Sequence, residues 1–270
     1  ANDRAGADTA AEVQAIVNAY NAILAEANDT NSTAGDTTAD ATPASDPTAA
    51  QYATIGADIG TAATDAENLA LLNDIVGASQ TTDVDTIAEI NNLARIANAI
   101  QQTAAGQTPS PALTAADLEK VGLVNVTPDN LAAVLNAIAA KADDGSATDS
   151  LSELQAIVDA ATGSFTAALN AIRDAAQGNT ATGSTPSLAQ YNAIGVTGVN
   201  ANNLSSISDA LNSAAVDGAK ADTAAEVQAI VDAYNAILAE ANGTSGDASA
   251  QDPTAAQYAA IGVTGVDAGP

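Results

Sequence analysis

The side chains able to do chemistry in this chain are carboxylates, hydroxyls and carboxamides, because it contains no His and no Cys. Without an imidazole base the common nucleophile–base triads cannot be assembled. Zinc sites lose both of their usual ligand types. No Gly-x-x-x-x-Gly-Lys phosphate loop occurs, and no strand pattern precedes a dinucleotide-binding turn. Acid–base work would fall to carboxylate pairs such as Glu12 with Glu26, or Asp143 with Asp144. On amphipathic helices such residues read as a solvated polar face. Two stretches, Asp29-Thr-Asn31-Ser-Thr33 and Asp83-Val-Asp85, space oxygen ligands at alternate positions as calcium loops do. Neither continues to the glycine and the distal glutamate that an EF-hand loop requires. The expectation is no catalytic, no cofactor-binding and no metal-ligating residue.

Binding by charge or stacking fares no better. Against 33 acidic residues stand only six basic ones, Arg4, Arg95, Lys120, Lys141, Arg173 and Lys220, for a net charge of −27. Such a surface repels phosphate backbones and anionic lipid head groups, so no nucleic acid partner is expected. No apolar run approaches the ~18 residues of a membrane span, so no membrane insertion is expected either. The aromatic residues are Phe165, Tyr20, Tyr52, Tyr191, Tyr234 and Tyr258. Tyr20 and Tyr234 share a stripe with Val and Ile, which places them in a core with the hydroxyl at its rim. Tyr52, Tyr191 and Tyr258 sit inside short helices and read the same way. Much of the 47% hydrophobic content is alanine, which favours helix but buries little area per residue. Many small cores are therefore expected. With neither Cys nor Met the chain has no sulfur to oxidise, which fits exposure outside a cell. The start at Ala1 shows no charged-then-apolar leader. Asn31-Ser-Thr33 and Asn242-Gly-Thr244 read as turn chemistry.

The elements that carry these residues repeat. Residues 9–28 read TAAEVQAIVNAYNAILAEAN, and residues 223–242 repeat them with one change, Asn18 to Asp232. DPTAAQYA occurs at 46–53 and again at 252–259, and YNAIGVTGV at 191–199 returns as YAAIGVTGV at 258–266. The glycines that follow the short element, Gly56, Gly122, Gly195 and Gly262, are spaced 66, 73 and 67 residues apart. Periods of this size signal a repeat architecture.

Each period predicts three helices. The first begins at a capping box (Thr48-Ala-Ala-Gln51, Thr114-Ala-Ala-Asp117, Ser187-Leu-Ala-Gln190, Thr254-Ala-Ala-Gln257) and stops at the anchor glycine. The second begins near Asp65, near Thr127-Pro128 and near Asn200, with Leu69, Leu72, Ile75 and Val76 in its first copy at helical spacing. The third begins at boxes such as Thr223-Ala-Ala-Glu226. Val227, Ile230, Val231, Tyr234, Ile237 and Leu238 then form one face, as do Val13, Ile16, Val17, Tyr20, Ile23 and Leu24. In the middle period eight extra residues, 162–169, intervene, and Gly163 marks an expected kink or break into two helices. Polar stretches rich in Gly, Ser, Thr and Pro separate the periods.

The predicted fold is all-α: a tandem array of small three-helix bundles joined by polar linkers. Its parts are an orphan third helix of a preceding module (1–28), a module at 46–104, one at 109–177 with the eight-residue insertion, one at 185–242, and the first helix of a truncated following module (252–270). Both end helices are expected to lack partners within the chain, as in an excerpt from a longer array.

The order short helix, Gly-Val, second helix, then Thr-x-x-Glu-Val-x-Ala-Ile-Val resembles the GA-type three-helix module, on Ile194-Gly195-Val196 and on Thr223 to Val231. GA-like modules recur in tandem in large bacterial cell-surface and biofilm adhesins. The resemblance implies a bacterial, extracellular or cell-surface location and a non-enzymatic stalk, spacer or fibre-forming role. Its implied partners are neighbouring modules of the same or an adjacent chain. Albumin-binding relatives use an aromatic patch around the second helix, and here the second helices contain no aromatic residue. The alternative is a helical binding module recognising a host or matrix protein. Ice binding ranks last, because the threonines cluster at caps and linkers and form no row along a helix.

Overall fold

The computed structural model describes residues 7–27, 46–141, 147–178, 185–241 and 252–266. Among these the chain is all-helical, and no strand occurs. It divides into two compact units, 1–160 and 161–270. The first contains α1 (Ala10–Glu26), α2 (Ala49–Thr54), a 3-10 turn (Gly60–Ala63), α3 (Ala66–Ala78), α4 (Ile87–Ala104), α5 (Ala115–Lys120), α6 (Leu131–Ala139) and the start of α7 (Leu151–Gly178). The second contains the rest of α7, α8 (Leu188–Ala193), α9 (Leu204–Leu211), α10 (Ala224–Ala241) and α11 (Ala255–Ala260). No described helix is long and apolar enough to cross a membrane.

Local chemistry sets the helix ends. Capping boxes start α1 (Thr9, Glu12), α2 (Thr48, Gln51), α4 (Thr86, Glu89), α5 (Thr114, Asp117), α8 (Ser187, Gln190) and α11 (Thr254, Gln257). At α10 the Glu226 N–H donates to Thr223 Oγ1 and the Thr223 N–H donates to Glu226 Oε2, both at 3.2 Å. Each cap satisfies orphan amide donors of the first turn and is worth about 1 kcal/mol. The four short helices α2, α5, α8 and α11 end at Gly56, Gly122, Gly195 and Gly262, all at φ between +75° and +93°. The amides after them reach back to the carbonyls of Tyr52, Leu118, Tyr191 and Tyr258 at 2.9–3.0 Å. That bond is the signature of a Schellman stop, and the left-handed residue it needs is glycine.

Three expectations need correction. The second helices expected near Thr127-Pro128 and Asn200 begin later, at Leu131 and Leu204. A turn precedes each: the Thr127 and Asn200 amides donate to the Oδ1 of Asn130 and Asn203, at 2.8 and 2.7 Å. The Asn130 and Asn203 side chains thus close a turn ahead of the helix. The break into two helices allowed at Gly163 does not occur, and α7 runs as a single helix of 28 residues. One interior glycine costs only ~1 kcal/mol relative to alanine. Beyond it Phe165, Ala168, Ile172, Ala175 and Ala176 are buried, which outweighs that penalty.

The third correction concerns the end helices, which do have partners. α1 packs against α2 and α3, and α11 packs against α10. Helix α1 engages through its C-terminal half: Ile23 is fully buried, with Ala19, Glu26 and Ala27, whereas Val13 and Val17 are 46% and 44% exposed. An apolar side chain gains roughly 1.5–3 kcal/mol on burial, so the stripe folds onto the nearest apolar surface along the chain. The same habit recurs inside the first unit, where α4 packs against α3, which precedes it, and against α5 and α6, which follow. Helix α4 is accordingly buried along its whole length, from Ile90 to Ala104. Helix α3, which contacts α1, α4 and the 3-10 turn, buries Leu71, Asn73 and Gly77 besides the predicted Leu72, Ile75 and Val76.

Candidate functional site

The carboxylates that could have worked in pairs are set apart or engaged in structure. Glu12 and Glu26 lie on the same helix about 21 Å apart along its axis, at 1.5 Å per residue. Glu12 closes the Thr9 cap and Glu26 is buried at the other end. Asp83 accepts the Gln80 amide at 3.3 Å, and the neighbouring Glu89 carboxylate raises Asp85 above the usual range. Asp143, Asp144, the stretch Asp29–Thr33 and the sequon at Asn242 lie outside the described residues. Among the described residues no three potential ligands cluster in a way that could hold a metal ion.

The tyrosines serve the cores more deeply than the sequence indicated. Tyr52 and Tyr191 are fully buried. The Tyr52 hydroxyl donates to Asn73 Oδ1 at 2.9 Å, and the Asn73 amide donates to the Pro47 carbonyl at 3.0 Å, which ties the linker end to α3. Burial pushes the Tyr191 phenol up to about 12, opposed by the Ser208 hydroxyl. Tyr20 is half-buried, and its hydroxyl donates to the Asp85 carbonyl in the loop before α4. Among the described basic residues, Arg95 pairs across helices with Asp117 of α5.

What recurs is a polar clasp between the third-type helices α4, α7 and α10 and, in each case, the loop that follows the short helix of the same period. In the second unit the Thr197 amide donates to Gln228 Oε1 at 2.8 Å, and the Gln228 amide returns a bond to the Thr197 carbonyl at 3.1 Å. Asn235, two turns on, donates to the Gly198 carbonyl at 3.0 Å. A Cβ on Gly198 would stand 2.8 Å from the Asn235 amide nitrogen, so only glycine admits this approach. At the matching places in the first unit the Val124 amide donates to Gln155 at 2.9 Å and the Asp58 amide donates to Asn91 at 2.8 Å. Asn98 donates to the Ile59 carbonyl at 3.1 Å. The side chain involved is always a carboxamide, which can accept from an N–H and donate to a C=O at one loop residue.

A second contact ties the far half of a third-type helix to the loop before the next such helix. Besides Tyr20 with Asp85, Gln101 of α4 exchanges bonds with Thr148 at 2.8 and 3.0 Å. In the second unit the Gly218 amide donates to Gln177 of α7 at 3.0 Å. Sequence reading had passed over these amides. Their signal was the fixed offset from the cap: Gln14, Asn91, Gln155 and Gln228 all stand five residues after Thr9, Thr86, Ser150 and Thr223. Around the α4 clasp the surface is dented by a shallow groove of about 270 Å³ between Asp58, Arg95, Asn98 and Pro109. The arrangement can hold helices in register. No family model matches the chain, and neither a curated protein nor a solved structure proves similar to it.

Proposed function

We propose that this chain is a non-enzymatic tandem array of small three-helix bundles that acts as a spacer, stalk or fibre-forming segment at a bacterial cell surface. The single observation that carries the reading is the clasp, repeated at Asp58–Asn91, Val124–Gln155 and Thr197–Gln228. A contact reproduced in all three complete periods between an amide and a backbone selects for register between elements, not for a ligand. Helices such as α4, which serve the elements before and after them, make an array stiffer than beads on flexible linkers. The similarity to GA-type modules supports the surface location. The high acidity supports solubility and mutual repulsion in a crowded layer. A helical module that binds a host or matrix protein is the alternative.

The test is one of reach. A binding domain displayed on a cell beyond one copy and beyond two copies of this chain should capture its immobilised target across a thicker polymer layer with two. Capture independent of copy number, or retention of serum or matrix proteins by the chain alone, would favour the binding-module alternative.

A further inference from the structure

The clasp has two halves, and each half also occurs unengaged elsewhere in the chain. The helix half is on α1, where Gln14 and Asn21 match Gln228 and Asn235, and Val13 and Val17 match Val227 and Val231. Val227 and Val231 are fully buried, whereas Val13 and Val17 are nearly half exposed. The loop half is at 261–266, where IGVTGV repeats 194–199 residue for residue. Val196 is 3% exposed, but its counterpart Val263 is 41% exposed, and Val266 beside it is 39% exposed. Gly265 takes the same left-handed turn as Gly198, at φ +80° and +82°. A Cβ on Gly265 nevertheless meets nothing within 4 Å, where one on Gly198 would strike Asn235.

From these matched surfaces we propose that the chain associates head to tail. The loop 261–266 of one copy docks on the N-terminal half of α1 of a second copy. Thr264 there exchanges backbone bonds with Gln14, Asn21 reaches the Gly265 carbonyl, and Val263 and Val266 cover Val13 and Val17. The occupant is argued from the molecule itself, because the 194–199 loop already sits on a helix that differs from α1 at one residue over the repeated stretch. The contact is heterologous, so it adds copy to copy beyond a dimer. The docked surface is the loop alone, whereas in the internal case α9 also packs on α10, so the contact is weaker than the internal clasp and shows at high concentration. With a net charge of −27 per copy, added salt strengthens it by screening repulsion. The inference rests on reading the chain as an array, although not on where the array works.

Sedimentation equilibrium of the full chain tests this. The average mass should climb above the monomer with concentration, and more steeply in salt. The exposed double substitution Gln14→Ala/Asn21→Ala should weaken association by about tenfold or more, equivalent to 1.4 kcal/mol. A mass that stays monomeric at every concentration, or association indifferent to the substitution, overturns the proposal. A second measurement uses the absence of native Cys. Val13→Cys and Val266→Cys proteins, mixed in equal amounts and oxidised, should form the mixed disulfide well beyond the twofold excess over each self-pair that random pairing gives. A random 1:2:1 distribution of the three pairs also overturns it. Failure here leaves the array reading intact, since that rests on contacts within one chain, and failure of the reach assay would leave this association standing.

Discussion

Helices α1 and α10 have nearly the same sequence and opposite burial. From Thr9 and from Thr223 the two stretches differ only at Asn18 and Asp232. Helix α1 buries its C-terminal half, with Ile23 fully buried and Val13 and Val17 in solvent. Helix α10 buries its N-terminal half, with Val227 and Val231 fully buried and Leu238 at 37% exposure. Helix α4, with neighbours on both sides, buries both halves. The apolar stripe is thus two docking sites in tandem. Its N-terminal half serves the short helices that precede it, and its C-terminal half serves those that follow. A third-type helix belongs to two successive cores, and α1 takes its partners, α2 and α3, from the elements that follow it.

The contrast can be broken most forcefully by placing a charge at matched positions. Val231→Asp puts an unpaired carboxylate into a closed core and should cost at least about 3 kcal/mol. Val17→Asp should cost less than about 0.5 kcal/mol in dilute solution. For the C-terminal halves the order reverses. Ile23→Ala should cost about 2–5 kcal/mol, as for a core truncation, and Ile237→Ala should cost clearly less. Urea unfolding of the four variants reads all of this, and equal effects within either pair would abolish the distinction.

The short helices repeat the contrast, since Tyr191 of α8 is fully buried whereas Tyr258, in the matching place on α11, is half-buried. Burial raises the folded pKa of Tyr191 to about 12, above the ordinary tyrosine value. The folded state therefore holds this proton more tightly than the unfolded chain. Its contribution is complete below about pH 10 and is lost as pH rises through about 12. Tyr191→Phe should flatten the alkaline limb of thermal stability, and a limb unchanged by that substitution would remove Tyr191 as its source.

The smallest effect sharpens the comparison by being equal. Thr9→Ala and Thr223→Ala remove the same cap and should each cost about 1 kcal/mol of local helix stability. Circular dichroism and amide exchange at the first turn would measure it. A large disparity would show that the caps, and not the neighbours, make α1 and α10 differ.

Helix starts and stops were legible in the sequence because they depend on residues within one turn: Thr48 with Gln51, Thr223 with Glu226, glycine at 56, 122, 195 and 262. The errors arose where a nonlocal energy decided. Gly163 looked like a break, but its penalty is small beside the burial of Phe165 and Ile172. The second helix was expected to begin near Asn200, whose amide instead closes a turn with the Asn203 side chain ahead of the helix. That α1 would fold onto α2 and α3 could not be read from a stripe identical to that of α10. A pattern states which side chains seek burial and not which neighbours supply it. The clasp was half visible: the carboxamide offset from the cap is in the sequence, but its backbone partners are about 30 residues away in the chain, at Thr197 for Gln228.

Residue-resolved amide hydrogen exchange on α1, α4 and α10 tests most directly whether a third-type helix is shared between successive cores. Over nearly all of α1 and α10 the intrinsic exchange rates are the same, so any difference reports the surroundings. Protection should rise from the N-terminal to the C-terminal half of α1, fall along α10, and stay high throughout α4. Parallel profiles in α1 and α10 would contradict the sharing and return the array to independent bundles.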